Sequence, residues 1–148
     1  MQLTAVQRVA VLFAAAALFS VALFVSSTTE AEAQTSGQAV VEEARSWIGT
    51  PYQYGGASSS GVDCSGFTMR VMEQFGVDLP RTTDAQYDYG TASNAKAGDL
   101  VFYTNGGSSI AHVGIATGEG TLIHASYDGV TETPMQYMEG YAGAKDVV

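Results

Sequence analysis

Cys64 is the only cysteine in a chain of 148 residues. It follows a loop rich in glycine and serine, and the apolar residues after it recur at helical spacing. The sequence therefore predicts Cys64 in the first turn of a helix, with Asp63 as N-cap and Gly76 as the stop. The unpaired N–H groups of a first turn favour an anion, so we expect the pKa of this thiol to fall and a nucleophilic thiolate to form. The alternative is a small buried cysteine that only packs.

The two histidines of the chain, His112 and His124, are its second candidate for chemistry. Both fall in short β-branched runs, and the glycine-bounded turn at 118–120 predicts that these runs are neighbouring antiparallel strands. A register that brings the histidines together fits the sequence but is not determined by it. In that register Cys64 would be the nucleophile, His112 would accept and return its proton, and His124 would orient His112. The backbone N–H of Cys64 would contribute to an oxyanion hole.

A zinc site is the competing chemistry for the same three side chains. One cysteine and two histidines can supply three ligands and leave a position for water. The sequence has no short ligand spacing such as C-x-x-C or H-E-x-x-H. We therefore favour thiol chemistry and expect neither a metal nor another cofactor.

Residues 1–33 have the order of a secretory signal peptide. Arg8 supplies positive charge, a largely apolar run extends from Val9 to Val25, and Ala31-Glu32-Ala33 matches an A-x-A cleavage site. We predict cleavage before residue 34, one domain over 34–148, and a secreted or cell-envelope location. An uncleaved N-terminal anchor is the alternative. A lone cysteine cannot form an internal disulfide in such an oxidising compartment, which favours a catalytic reason for its presence.

The charge balance limits the partners. The chain has 15 acidic and 6 basic side chains, with a formal net charge of −9 at pH 7. This argues against nucleic acid, whose phosphates select a positive surface. After signal cleavage we expect no stable membrane insertion, and a monomer is the simplest state.

Helical patterns come first in the chain and strand patterns follow. The run Gln38–Ile48 predicts a first helix, with Ile48 on its buried face and Gly49 as its stop, and a short helical turn is expected around Thr83–Tyr87. The predicted strands are Asp99–Thr104, Ala111–Thr117, Thr121–Ser126 and Val130–Met135. The sequence thus predicts an α+β fold with an antiparallel sheet.

Six short blocks stand in a fixed order along the chain. They are Gly49–Gly56, Gly61–Phe67, Leu79–Arg81, Gly98–Phe102, His112–Ile115 and Ile123–Ser126. Together they resemble the NlpC-type family of bacterial cell-wall cysteine peptidases. The resemblance implies a compact papain-like domain, with the nucleophile at a helix N-terminus packed against an antiparallel sheet. It also implies hydrolysis of the γ-D-glutamyl bond to a diamino acid, commonly meso-diaminopimelate, in peptidoglycan stem peptides.

The resemblance assigns residues by position. The family's catalytic cysteine, histidine and third polar residue match Cys64, His112 and His124, and its active-site tyrosine matches Tyr52. The aspartate before the nucleophile, which in similar enzymes helps bind the free amine of the stem peptide, matches Asp63.

Other interpretations of these positions stay open. From the residues alone, Tyr52 could instead pack the loop and Asp63 could only cap the helix. Arg81 could hold a substrate carboxylate or a structural acidic residue. Two other functions also stay open: a non-catalytic wall-binding or partner-binding module, and an amidase or acyltransferase on the same scaffold.

Overall fold

The structure, a computed structural model, describes residues 36–148. The predicted signal peptide at 1–33 and the predicted domain start at residue 34 lie outside the described residues. Between 36 and 148, no helix combines the length and the apolar character needed to cross a membrane.

Three α-helices occur in this part of the chain: α1 is helical over 36–46, α2 spans Cys64–Glu73 and α3 spans Thr83–Tyr89. Helix α1 buries Val40 and Ala44, as its spacing predicts. Ile48 was expected on the same face and is instead 47% exposed. The reason is that residues 47–49 leave the helix in a turn, where Gly49 adopts a φ of 94°.

Helix α2 begins at Cys64 because Asp63 caps it. The backbone of Asp63 is extended, and its side chain accepts a hydrogen bond from the N–H of Gly66 at 2.7 Å. The chain turns out of the helix at Gly76, which has a φ of 76°. The predicted cap and stop are confirmed. The helix buries Phe67, Val71 and Met72.

The eight described strands form a two-stranded and a six-stranded sheet, both antiparallel. The strands are β1 Ala57–Ser58, β2 Gly61–Val62, β3 Thr91–Ser93, β4 Leu100–Thr104, β5 Ile110–Ala116, β6 Thr121–Ser126, β7 Gly129–Pro134 and β8 Tyr141–Asp146. The larger sheet has the order β3-β8-β4-β5-β6-β7. The α+β prediction and the four predicted strands of the meander are confirmed.

Strand β8 was not predicted. It lies between β3 and β4, with Lys145 opposite Leu100 and Ala144 opposite Ser93. Its sequence YAGAKD lacks the apolar alternation that marks a strand, and pairing on both edges holds it in place while Ala144 is buried. The fourth predicted strand ends one residue early, since Met135 begins a 3₁₀ turn that leads toward β8.

The two faces of the large sheet carry different cores. One face packs against α1 and α2, and its buried residues include Val40, Phe67, Val71, Phe102, Val113 and Ile123. The other face holds a smaller cluster around Val101, Tyr103 and Leu122. Helix α2 contacts β5 and β6, the two strands that carry the histidines. This packing places α2 beside the strands that carry the histidines.

Candidate active site

Cys64 lines a cavity of about 270 Å³. It is the first residue of α2 and is half-buried. The cavity is lined by Tyr52, Cys64, His112, His124 and Tyr127, with Ala111, Ala125, Ser126 and Met138 completing its wall. The structure thus brings the predicted cysteine and both histidines to one site.

The two histidine rings contact each other directly. Nε2 of His112 lies 2.7 Å from Nδ1 of His124, and the ring planes are inclined at 85°. Strands β5 and β6 pair with Ile115 opposite Ile123, which sets the histidines on the same side of the sheet. The contact occupies Nε2 of His112, so Nδ1 is the ring nitrogen that remains for the cysteine.

Gly114 makes room for this contact. A Cβ placed on Gly114 would lie 3.0 Å from Cβ of His124 and 2.9 Å from the carbonyl oxygen of Ile123. Any side chain here would press on the strand that carries His124. Gly114 was not among the predicted site residues, although a glycine inside a predicted strand often marks a place where another chain segment comes close to the backbone.

Thr133 extends the contact beyond the two histidines. Its Oγ1 lies 3.1 Å from Nε2 of His124. On β7, Thr131 is opposite His124, so Thr133 is a diagonal neighbour on the same face. Thr133 could not be singled out from the sequence, because a threonine in a strand gives no signal until the register is known.

The resting cysteine and histidine are both uncharged. Burial lowers the pKa of His112 to about 4, and the neighbouring His124 makes a smaller contribution to the same shift. Burial also lowers the pKa of His124. Burial raises the pKa of the Cys64 thiol, although the backbone N–H groups of Val113 and Ser65 oppose the change. The expectation of a lowered thiol pKa was therefore wrong, because desolvation outweighs the stabilisation by backbone N–H groups.

Asp63 and Arg81 bind each other beside the cavity. Arg81 donates from Nη2 to Oδ2 of Asp63 at 2.7 Å and from Nη1 to Oδ1 at 3.0 Å. The N–H groups of Gly55 and Gly66 donate to the same carboxylate at 3.0 and 2.7 Å. Burial alone would raise the pKa of Asp63, but these hydrogen bonds lower it.

Neither Asp63 nor Arg81 lines the cavity around Cys64. Five hydrogen bonds already reach the carboxylate of Asp63, which has about four acceptor positions: two from Arg81 and one each from Gly55, Gly66 and the Ser65 hydroxyl. A substrate amine would have to share these positions. Binding of a substrate amine by Asp63 and of a substrate carboxylate by Arg81 therefore stay predictions.

Tyr52 does line the cavity. Its ring packs against Tyr127 with centroids 5.2 Å apart, and its backbone forms an isolated parallel bridge with Val62. Burial raises the pKa of Tyr52, with Cys64 and Asp63 adding to the effect. The hydroxyl thus stays protonated and can donate a hydrogen bond. Tyr127, from the turn between β6 and β7, was not anticipated from the sequence.

No three His, Cys, Asp or Glu side chains converge on a metal position within residues 36–148. The histidine contact explains part of this finding. Nδ1 of His124 contacts Nε2 of His112, so neither nitrogen is free to bind a metal.

Comparisons with known proteins identify the family of the chain. Residues 49–144 match the model of the NlpC/P60 family. A Corynebacterium glutamicum protein named "Probable endopeptidase Cgl2188" is 39% identical over 120 residues, covering 78% of this chain and 56% of that protein. The "Murein DD-endopeptidase MepS/Murein LD-carboxypeptidase" of Escherichia coli is 42% identical over 91 residues, covering 59% of this chain and 48% of that protein. The chain thus spans about half the length of these two relatives.

The fold is also similar to that of a solved structure. The crystal structure of the NlpC/p60 domain of the peptidoglycan hydrolase SagA superposes with a TM-score of 0.67 at 41% identity, covering 74% of this chain and 97% of that domain. Its likeness to the sheet and helices described above agrees with the match over residues 49–144. The chain therefore belongs to the NlpC/P60 family.

Proposed function

We propose that this protein is an exported cysteine peptidase that hydrolyses peptidoglycan stem peptides through Cys64, His112 and His124. The observation that carries the proposal is the contact of 2.7 Å between Nε2 of His112 and Nδ1 of His124, in the cavity that Cys64 also lines. A nucleophile, a base and a group that orients the base are the parts that thiol catalysis requires.

The reaction begins from the neutral pair. The thiol proton moves to Nδ1 of His112 as the sulfur of Cys64 attacks the carbonyl carbon of the scissile amide. The C–N bond then breaks, His112 gives its proton to the leaving amine, and a thioester to Cys64 remains. Water attacks the thioester with His112 as base, which releases the carboxylic acid and returns a proton to the sulfur.

The oxyanion formed in these steps needs hydrogen-bond donors. The N–H of Cys64 is free of intrahelical partners because it lies in the first turn of α2. Tyr52 lines the same cavity, and its hydroxyl stays protonated. We assign both groups to stabilisation of the oxyanion, which is a large contribution to catalysis in acyl transfer.

The scissile bond in this proposal is the one between γ-D-glutamate and a diamino acid. Its support is the resemblance of the six sequence blocks and the membership of the NlpC/P60 family. The name of the Escherichia coli relative describes other bonds, a DD-peptide bond and an LD-peptide bond. The choice of bond is therefore the part of the proposal that most needs an experiment.

Export and partners complete the proposal. The signal-peptide pattern at 1–33 supports a secreted or cell-envelope location. The acidic charge of −9 gives no attraction to nucleic acid. We propose a monomer whose partner is the stem peptide.

Mass spectrometry of defined stem peptides tests the bond. The purified protein, kept reduced, is incubated with a free tetrapeptide stem, a DD-cross-linked dimer and a glycan-linked stem, each beside the Cys64→Ala variant. A fragment that begins at the diamino acid, formed by the wild type alone, supports the proposal. A cut at the DD cross-link or at the glycan–peptide amide would move the assignment to another bond. Retention on purified cell wall with no product would favour a binding module.

A further inference from the structure

Thr133 ends a row of polar contacts that starts at the cavity. Its Oγ1 lies 3.1 Å from Nε2 of His124, whose Nδ1 lies 2.7 Å from Nε2 of His112. His124 is only 6% exposed. A ring nitrogen buried to this extent needs its hydrogen-bond partner, since an unpaired buried N–H is costly.

The hydrogen bonds along this row can run in either of two directions. In the first, His124 donates from Nε2 to Thr133, Nδ1 of His124 accepts from Nε2 of His112, and Nδ1 of His112 holds a lone pair. In the second, Thr133 donates to His124, His124 donates to His112, and the proton of neutral His112 sits on Nδ1. Each ring has one proton in both cases, so the direction alone decides which nitrogen of His112 can act as a base.

Only the first direction allows His112 to accept a proton from Cys64. Once His112 is an imidazolium, both of its nitrogens carry protons, and Nδ1 of His124 must accept. The proton of His124 then lies on Nε2, and the oxygen of Thr133 must accept it. The second direction would set two N–H groups against each other across a distance of 2.7 Å.

We propose that Thr133 is a positioning residue, whose Oγ1 accepts the Nε2–H of His124 and thereby holds His112 in the tautomer with a free Nδ1. Thr133 does not line the cavity, so it acts through His124 and not on the substrate. The catalytic consequence rests on the proposed function, but the tautomers are a property of the protein alone.

Ring-nitrogen NMR tests the tautomers without substrate. The chain has two histidines, so uniform ¹⁵N labelling gives two ring systems, which His112→Gln distinguishes. At neutral pH we expect both rings to carry the proton on Nε2. In Thr133→Val, which keeps the β-branched shape and removes the acceptor, we expect Nδ1-protonated forms to appear. Thr133→Ser and Thr131→Val, the same kind of change two residues away on β7, should retain the wild-type pattern. A wild-type His124 protonated on Nδ1, or an unchanged pattern in Thr133→Val, overturns the proposal.

Steady-state kinetics measure the effect of Thr133 on catalysis. We expect kcat for stem-peptide cleavage to fall about ten- to a hundredfold in Thr133→Val, with KM within about twofold of wild type. Thr133→Ser should restore kcat to within about threefold of wild type. A fall in kcat that Thr133→Ser does not restore contradicts the role of the oxygen. A wild type that cleaves no stem peptide would overturn the proposed function and leave the NMR result standing.

Discussion

Arg81 holds both carboxylate oxygens of Asp63, the residue that precedes Cys64, at 2.7 and 3.0 Å. The same guanidinium donates to Oγ of Ser65, the residue that follows Cys64, at 2.8 Å. Cys64 is thus flanked on both sides by residues that are hydrogen-bonded to one side chain from the loop before α3. We conclude that Arg81 fixes the turn from which Cys64 projects.

Arg81→Lys tests this role. A lysine ammonium cannot contact both carboxylate oxygens and Ser65 in the same fork geometry. The side chain of Arg81 is 39% exposed, so solvent screening reduces the effect, and we expect a loss of about 1 to 2 kcal/mol in the free energy of unfolding. Urea unfolding measures it. Arg45→Lys, which alters an exposed pair with Glu132, should change stability by less than about 0.5 kcal/mol. Equal losses in the two variants would contradict the role of Arg81.

The rate of alkylation of Cys64 depends on the charge of its thiol and of the neighbouring His112. The thiolate is the reactive form, and burial holds the pKa of Cys64 above its ordinary value. With His112 at a pKa of about 4, no imidazolium is present near neutral pH to stabilise a thiolate. We therefore expect the rate of alkylation by iodoacetamide to keep rising with pH beyond about 8.5, the pKa of a free thiol. A rate that is already constant between pH 5 and 7, about the range of a preformed ion pair, would show that the pair is charged.

Gly114→Ala tests the space beside His124. The new Cβ would lie 2.9 Å from the oxygen of Ile123 and 3.0 Å from Cβ of His124, so the strand must shift. Displacement of the ring should lower kcat/KM by about tenfold or more, since small errors in the placement of catalytic groups are costly. Gly107→Ala is the matched control, because nothing lies within 4 Å of its added Cβ. Activity of Gly114→Ala equal to that of the control would mean that the ring contact tolerates the shift.

Tyr52→Phe removes one hydroxyl from the cavity and keeps the ring that packs on Tyr127. If that hydroxyl donates to the oxyanion, kcat/KM should fall about a hundredfold, with little change in stability. Tyr54→Phe provides the comparison, because Tyr54 is 91% exposed and does not line the cavity. Steady-state rates on one stem peptide measure both variants. A Tyr52→Phe enzyme as active as Tyr54→Phe would remove Tyr52 from the mechanism.

Much of the scaffold follows from local patterns. The helix that begins at Cys64 has its cap, its apolar spacing and its stop within a few residues of each other. The strands that carry His112 and His124 show β-branched runs bounded by glycine turns. These features could be predicted because each depends on neighbours in the sequence.

Other parts of the site depend on contacts between distant residues. The pairing of Ile115 with Ile123 sets the distance between the histidines, and the sequence permits other registers. Thr133 becomes a partner of His124 only through a second register, that of β6 with β7.

The thiol pKa could not be predicted for a related reason. It depends on how deeply Cys64 is buried, which the helix position does not reveal. The wrong prediction came from a local electrostatic argument that a tertiary effect outweighs.

We propose Cys64 as the nucleophile, and the rate of cleavage of one stem peptide by the wild type and by Cys64→Ala tests this assignment. We expect the substitution to lower the rate at least about a thousandfold, because it removes the one thiol of the chain, the group that forms the acyl intermediate in the proposed mechanism. Circular dichroism of both proteins shows whether the variant is folded. A folded Cys64→Ala protein that still cleaves at a rate near that of the wild type would show that Cys64 is not the nucleophile.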